Sequence, residues 1–119
     1  MKRSDISEFL KGELVPEEFQ SKYAAELDKH LKLLSKRGAS APVCVTGDQY
    51  IFVSRVSFRR VLQAFVVGTL RKEMLVYLLD VLTLDAKSIF ADQAIKEMEM
   101  NLVDENFNEK DVEEVLAKV

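Results

Sequence analysis

Apolar and polar positions recur with helical spacing over most of this chain. One stretch departs from that pattern by being apolar nearly throughout, Met74 to Leu84, where nine of eleven residues are apolar and Asp80 is the only charge. At this length a run of apolar residues fits a helix or a buried strand, and composition decides between them. Leu and Met predominate, and only Val76 and Val81 are β-branched, which favours a helix. A helix apolar on nearly every side is one surrounded by other elements. It is too short to cross a bilayer, which takes ~20 residues. The pattern therefore predicts a buried central helix over about residues 71–84, with the other helices laid around it.

The flanking segments carry amphipathic patterns and explicit boundaries. Ser4 is placed to cap a first helix that runs to Lys11 and stops at Gly12, a residue free to take positive φ. Pro16 suits a first helical position, and Leu14 and Phe19 have the spacing of a hydrophobic staple across that start. Phe19, Tyr23, Leu27, Leu31 and Leu34 then form a stripe along a second helix ending at Gly38. Residues 38–49 hold half of the glycines and one of the two prolines. Around them, Val43-Cys44-Val45 and Tyr50-Ile51-Phe52-Val53 read either as a small β-hairpin over 43–53 or as an extended loop with apolar anchors.

A third helix starts at Ser54 or Ser57, carries Phe58, Val61, Leu62, Phe65 and Val66, and ends at Gly68. The short link to the central helix predicts that these two pack as a helical hairpin. Ile89 and Phe90 anchor the next connection. Asp92 caps a fifth helix carrying Ile95, Met98 and Leu102, and Asn108 caps a sixth with Asp111 as its capping-box partner. The fold expected is all-α: a compact bundle of five or six helices forming a single domain over residues 1–119.

Composition adds little against this. A chain of 119 residues with 48% hydrophobic and 31% charged residues is ordinary for one globular domain. Cys44 is the only cysteine, so no internal disulfide forms, and no apolar h-region follows Met1-Lys2-Arg3-Ser4-Asp5. Those features point to a reducing cytoplasm. Charge is more informative, because the net -3 conceals a segregation. Between Val53 and Lys72 there are five cations (Arg55, Arg59, Arg60, Arg71, Lys72) and no acid. Between Asp92 and Leu116 nine acids face two lysines, a balance of -7. Asymmetry of this kind bears on partners and encounter rates more than on fold.

The chain also echoes itself. Phe9-x-x-Gly12-x-Leu14-x4-Phe19 returns as Phe65-x-x-Gly68-x-Leu70-x4-Leu75, each a helix end, a glycine reversal and a fresh helix. The run Ile6-Ser7-Glu8-Phe9-Leu10-Lys11-Gly12-Glu13-Leu14-Val15-Pro16-Glu17-Glu18-Phe19, followed by Tyr23, resembles the opening of small helical bacterial immunity proteins. Among these are colicin D-type immunity proteins and relatives encoded beside contact-dependent growth-inhibition toxins. Leu62-Gln63-Ala64-Phe65-Val66-Val67-Gly68-Thr69-Leu70 into Met74-Leu75, and the acidic tail after Ile89-Phe90-Ala91-Asp92, are similar to features of the same group. The chain departs from that pattern at Val15, where a capping Ser or Thr is common, and at Arg71, an unusual cap.

The resemblance implies a cytoplasmic, non-catalytic inhibitor that binds the C-terminal domain of a cognate toxin, often a nuclease with a basic cleft. Carboxylates on the inhibitor would take the place of substrate phosphates and steer encounter. The residues expected to make that contact are Asp92, Glu97, Glu99, Asp104, Glu105 and Asp111. No cofactor, metal, nucleic acid or membrane is expected as a partner.

Other readings compete with this one. The basic group on a helix pair suggests a nucleic-acid-binding helix-turn-helix, but its second helix is too apolar to serve for recognition and the sequence pI is near 5.2. Catalysis has few candidates. His30 reads as a surface or boundary residue, Cys44 as a buried thiol, and Asp80 as a carboxylate at the edge of the core. There is no phosphate loop, metal-ligand spacing or nucleophile elbow. The remaining alternative is a helical adaptor using an apolar groove, with Tyr50, Phe52 and Phe58 as aromatic anchors.

Overall fold

The computed structural model describes residues 1–34, 45–104 and 107–119, with the side chains of residues 103 and 104 left aside. Along the chain run α1 (Arg3–Lys11), α2 (Pro16–Leu34), β1 (Ile51–Val53), α3 (Arg55–Val66), α4 (Lys72–Leu84), β2 (Ser88–Phe90), α5 (Gln93–Asp104) and α6 (Glu109–Lys118). The apolar run becomes α4, and it is the centre of the molecule. Met74, Leu75, Leu78, Leu79 and Val81 have no exposed surface, and α2, α3 and α5 all pack against this helix. Glu73 in its first turn and Leu84 at its end are exposed.

The two corner motifs fold alike, as their shared spacing predicts. At the first, Gly12 takes φ 81° and the backbone N–H groups of Glu13 and Leu14 both donate to the Glu8 carbonyl. At the second, Gly68 takes φ 88° and Thr69 and Leu70 donate in the same way to Ala64. Pro16 opens α2 as expected, Ser54 caps α3 by accepting from the Ser57 N–H, and Asn108 and Asp111 close a reciprocal capping box at α6. The start of α1 differs from expectation. Ser4 lies inside the helix, and the cap position belongs to Lys2, whose side chain makes no capping bond. Its neighbourhood is held instead by backbone bonding to Thr46: Thr46 N–H donates to the Met1 carbonyl at 2.9 Å, and Arg3 N–H donates to Thr46 at 2.9 Å.

The stripe on α2 is also corrected. Phe19, Tyr23 and Leu27 are buried, but the next buried residue is His30, while Leu34 is 51% exposed. The step of three from Leu27 to His30 returns to the side of Phe19 and Tyr23, Leu31 drifts about 40° beyond Leu27 and is half-buried against the core, and Leu34 is exposed at the end of the helix. The proposed end of this helix at Gly38 lies outside the described residues.

Residues 51–53 are extended, but their partner is not a returning hairpin strand. β1 pairs with β2 in parallel, with Ile51 opposite Ser88, Phe52 opposite Ile89 and Val53 opposite Phe90. Parallel neighbours need a long crossover, which α3 and α4 supply. Inward-facing Ile51 and Val53 are fully buried, so the ladder is fixed by core packing as well as by hydrogen bonds. Val43 and Cys44, the other arm of the expected hairpin, lie outside the described residues, and Thr46 forms its bridge with Lys2. Among the described residues the result is a mostly helical bundle of six helices with one small parallel sheet. Among the described residues no helix is long and apolar enough to cross a membrane.

Candidate functional site

The acidic residues expected to meet a partner have unlike surroundings. At the start of α5, Asp92 accepts from the Ile95 N–H at 2.9 Å and from Arg55 Nε at 3.0 Å. The Ile95 bond outweighs the opposing effect of burial and, together with Arg55, holds its carboxyl below the usual carboxylate range. Asp111 accepts from the Asn108 N–H at 2.9 Å within the capping box of α6. Glu99 has no exposed surface and accepts from the Thr83 hydroxyl, 2.6 Å from each carboxylate oxygen, so it joins α5 to α4. Glu97 is exposed. The Asp104 side chain and Glu105 lie outside the described residues.

Asp92 and Asp111 therefore support helix starts, Glu99 supports the interior, and Glu97 faces outward. Beside Glu97, the acids of α6 that lie on the surface are Glu109, Glu113 and Glu114, interspersed with Lys110 and Lys118. The sequence pattern contains those three acids, but proximity in the chain did not separate surface carboxylates from structural ones.

The basic group is largely engaged within the fold. Arg55 pairs with Asp92, and Arg71 Nε lies 3.6 Å from Glu73. Lys72 Nζ stands 5.1 Å from the centre of the Phe107 ring, and Arg60 donates to the carbonyl of Leu10 at the end of α1. Among the described residues Arg59 alone of the five has no such contact. α4, which would have to be the recognition helix of a helix-turn-helix, is buried.

The three aromatic anchor candidates separate clearly. Phe58 is core, whereas Tyr50 is 53% exposed and Phe52 65% exposed. The sheet register sets Ile89, 41% exposed, directly opposite Phe52. Lys87 Nζ lies 4.7 Å from the Tyr50 ring centre. Neither Ile89 nor Lys87 is identifiable as part of this surface from sequence, because only the parallel pairing brings residues 50–52 beside 87–89.

Polar groups near the N-terminus are organised into the fold. Tyr23 accepts from the Lys2 N–H at 3.0 Å and donates its phenol proton to Asp5, which also meets Lys22 at 2.9 Å. Burial pushes the Asp5 carboxyl up, but the bonds from Tyr23 and Lys22 outweigh it and hold the group below its ordinary value. Burial, then Asp5, raises the Tyr23 phenol well above its ordinary value. Glu26 accepts from the Met1 amino group at 2.8 Å and from the Tyr77 hydroxyl at 2.6 Å.

His30, expected at the surface or the boundary of the core, is buried edge-on against Tyr77 with ring centres 4.6 Å apart. The reason is the return of the α2 stripe described above. A cleft of about 320 Å³ between α2 and α4 has His30, Tyr77, Val76 and Asp80 in its wall. Cys44 lies outside the described residues. Among the described residues there is no cluster of three or more His, Cys, Asp or Glu side chains able to hold a metal ion. No family model matches this chain, and no curated protein or solved structure matches it either.

Proposed function

We propose that this chain is a non-catalytic inhibitor that binds a cognate bacterial toxin domain, a nuclease, in the cytoplasm of the producing cell. The contact assigned to it is the outer side of α5 and α6. The observation that carries this reading is the set of outward carboxylates Glu97, Glu109, Glu113 and Glu114. They remain available after Asp92, Asp111 and Glu99 have been assigned to caps and interior. A nuclease cleft is cationic because its substrate is a polyanion, and carboxylates on a rigid support attract such a surface from a distance. The rigid support is the α4 interior, against which α5 is locked by the Thr83–Glu99 bonds.

The test is co-production with the C-terminal domain of the secreted protein encoded in the adjacent reading frame. Protection of the host from that domain, with a complex whose association slows as salt rises, is the expected result. An absence of both protection and complex formation removes the reading. A second reading, a helical adaptor with aromatic anchors, draws support from the exposure of Tyr50 and Phe52. It predicts binding that persists at high salt and depends on those two rings.

A further inference from the structure

The outward side of the two-stranded sheet is an unusual surface for a small bundle. Side chains alternate across a strand, so the register puts Tyr50 and Phe52 on the same side as Lys87, Ile89 and Ala91. Burial follows that alternation: Ile51 and Val53 are inside, whereas Tyr50, Phe52, Ile89 and Ala91 are exposed. Four of these five outward positions are apolar. Contiguous apolar surface containing aromatic rings is the composition found at the centre of protein interfaces.

The fifth position defines the chemistry of the occupant. Lys87 holds its ammonium over the Tyr50 ring, and among the described residues no carboxylate lies within ion-pair distance of it. The nearest candidate in sequence, Asp85, is already occupied by two bonds from Arg3, at 2.9 and 2.8 Å. The surface thus offers an apolar platform and one cation that makes no direct ion pair, although its charge also acts on Asp85 at longer range.

We propose that this face anchors a protein segment that presents an apolar side chain next to a carboxylate: the apolar group on Phe52 and Ile89, the carboxylate on Lys87. Desolvation by the apolar contact strengthens the charge pair, and the Tyr50 ring holds the ammonium in place. A second copy of this chain is a poorer occupant. A stable dimer buries ~20–30 residues a side, many more than these five positions. Two copies meeting face to face would also oppose Lys87 to Lys87. The proposal rests on the reading of this chain as a binding protein, and it concerns a surface separate from the carboxylates of α5 and α6.

The experiment uses the full ¹⁵N-labelled chain, titrated by NMR with the capped peptide Gly-Glu-Phe-Asp-Leu-Glu-Gly and with a counterpart carrying Lys at each acidic position. Saturable shifts at residues 50–53 and 87–91 with the acidic peptide only are expected. Phe52→Ala and Lys87→Gln should each weaken binding about tenfold while leaving the thermal melt unchanged. Ile89→Ala provides a second exposed variant should Phe52→Ala alter the fold. Equal binding of the lysine peptide, shifts confined to other residues, or no shifts at millimolar peptide each overturn the proposal. So does a concentration-dependent dimer abolished by Phe52→Glu, which would identify a second copy as the occupant. None of these measurements involves a toxin, so their failure is distinguishable from failure of the inhibitor reading.

Discussion

Arg3 of α1 and Asp85 at the end of α4 meet side-on, with Arg3 Nε 2.9 Å from Oδ2 and Nη2 2.8 Å from Oδ1. Arg3 also donates to the Gly47 carbonyl, so one guanidinium joins the first helix, the loop before β1 and the end of the central helix. The Arg3 bonds, aided by the Lys87 N–H and opposed by burial, hold the Asp85 carboxyl below its usual range. A carboxylate with a lowered folded-state value stabilises the fold above its unfolded value. That contribution is lost as pH falls through the lowered one.

Asp85→Asn should therefore lower Tm at neutral pH. The gap between wild type and variant should stay constant from pH 7 to pH 5 and close as pH falls below ~4, the ordinary Asp value. Thermal melts across that series provide the check, and a gap that persists unchanged to pH 2 would contradict the assignment.

The two corner glycines provide an internal comparison. Gly12 and Gly68 have nearly the same φ, 81° and 88°, so an alanine at either should cost ~1–2 kcal/mol through left-handed strain. A Cβ at Gly12 would also lie 3.0 Å from Cζ and Nε of Arg60, whereas at Gly68 it meets nothing within 4 Å. Arg60, which donates to the Leu10 carbonyl, would have to give by a few tenths of an ångström. Urea unfolding should rank Gly12→Ala as more damaging than Gly68→Ala.

Glu99 should behave as a structural residue. Glu99→Ala leaves the Thr83 hydroxyl without its carboxylate partner and should cost ~1–3 kcal/mol in chemical unfolding. Thr83→Val should cause part of the same loss, and the two changes should be non-additive because they remove one interaction. Any effect of Glu99→Ala on partner binding should scale with the fraction unfolded.

The outward acids should show the opposite profile. Glu113→Lys with Glu114→Lys should leave stability within ~0.5 kcal/mol, as is usual for surface changes. Association with a cationic toxin domain should slow about tenfold at low salt, with the difference shrinking as salt rises. Asn108→Ala, which removes the capping box of α6, should cost ~1 kcal/mol of stability instead. Stopped-flow binding and thermal melts on the same variants separate the two classes.

Helix positions were largely readable because their determinants are local. The corner glycines, Pro16, Ser54 and the Asn108–Asp111 box act within one turn of themselves, and the run from Met74 to Leu84 declares its burial by composition alone. Ser4 misled because a partner distant in the chain, Thr46, organises the start of α1 through its bridge with Lys2. His30 misled because the row was continued from Leu27 to Leu31, whereas the step of three to His30 lies closer to the side of Phe19 and Tyr23. Of the acids, Asp92 and Asp111 were readable as caps, but the same signal could not show that capping and pairing would absorb them.

Local chemistry in the chain thus determined where helices start and stop and which one lies at the centre. Tertiary structure alone decided that residues 51–53 join 88–90 in parallel, that Glu99 turns inward to Thr83, and that Phe52, Ile89 and Lys87 share an outer face. The physical reason is range. Caps and apolar periodicity act over a few residues, whereas strand register and the burial of a single carboxylate depend on which distant segment packs alongside.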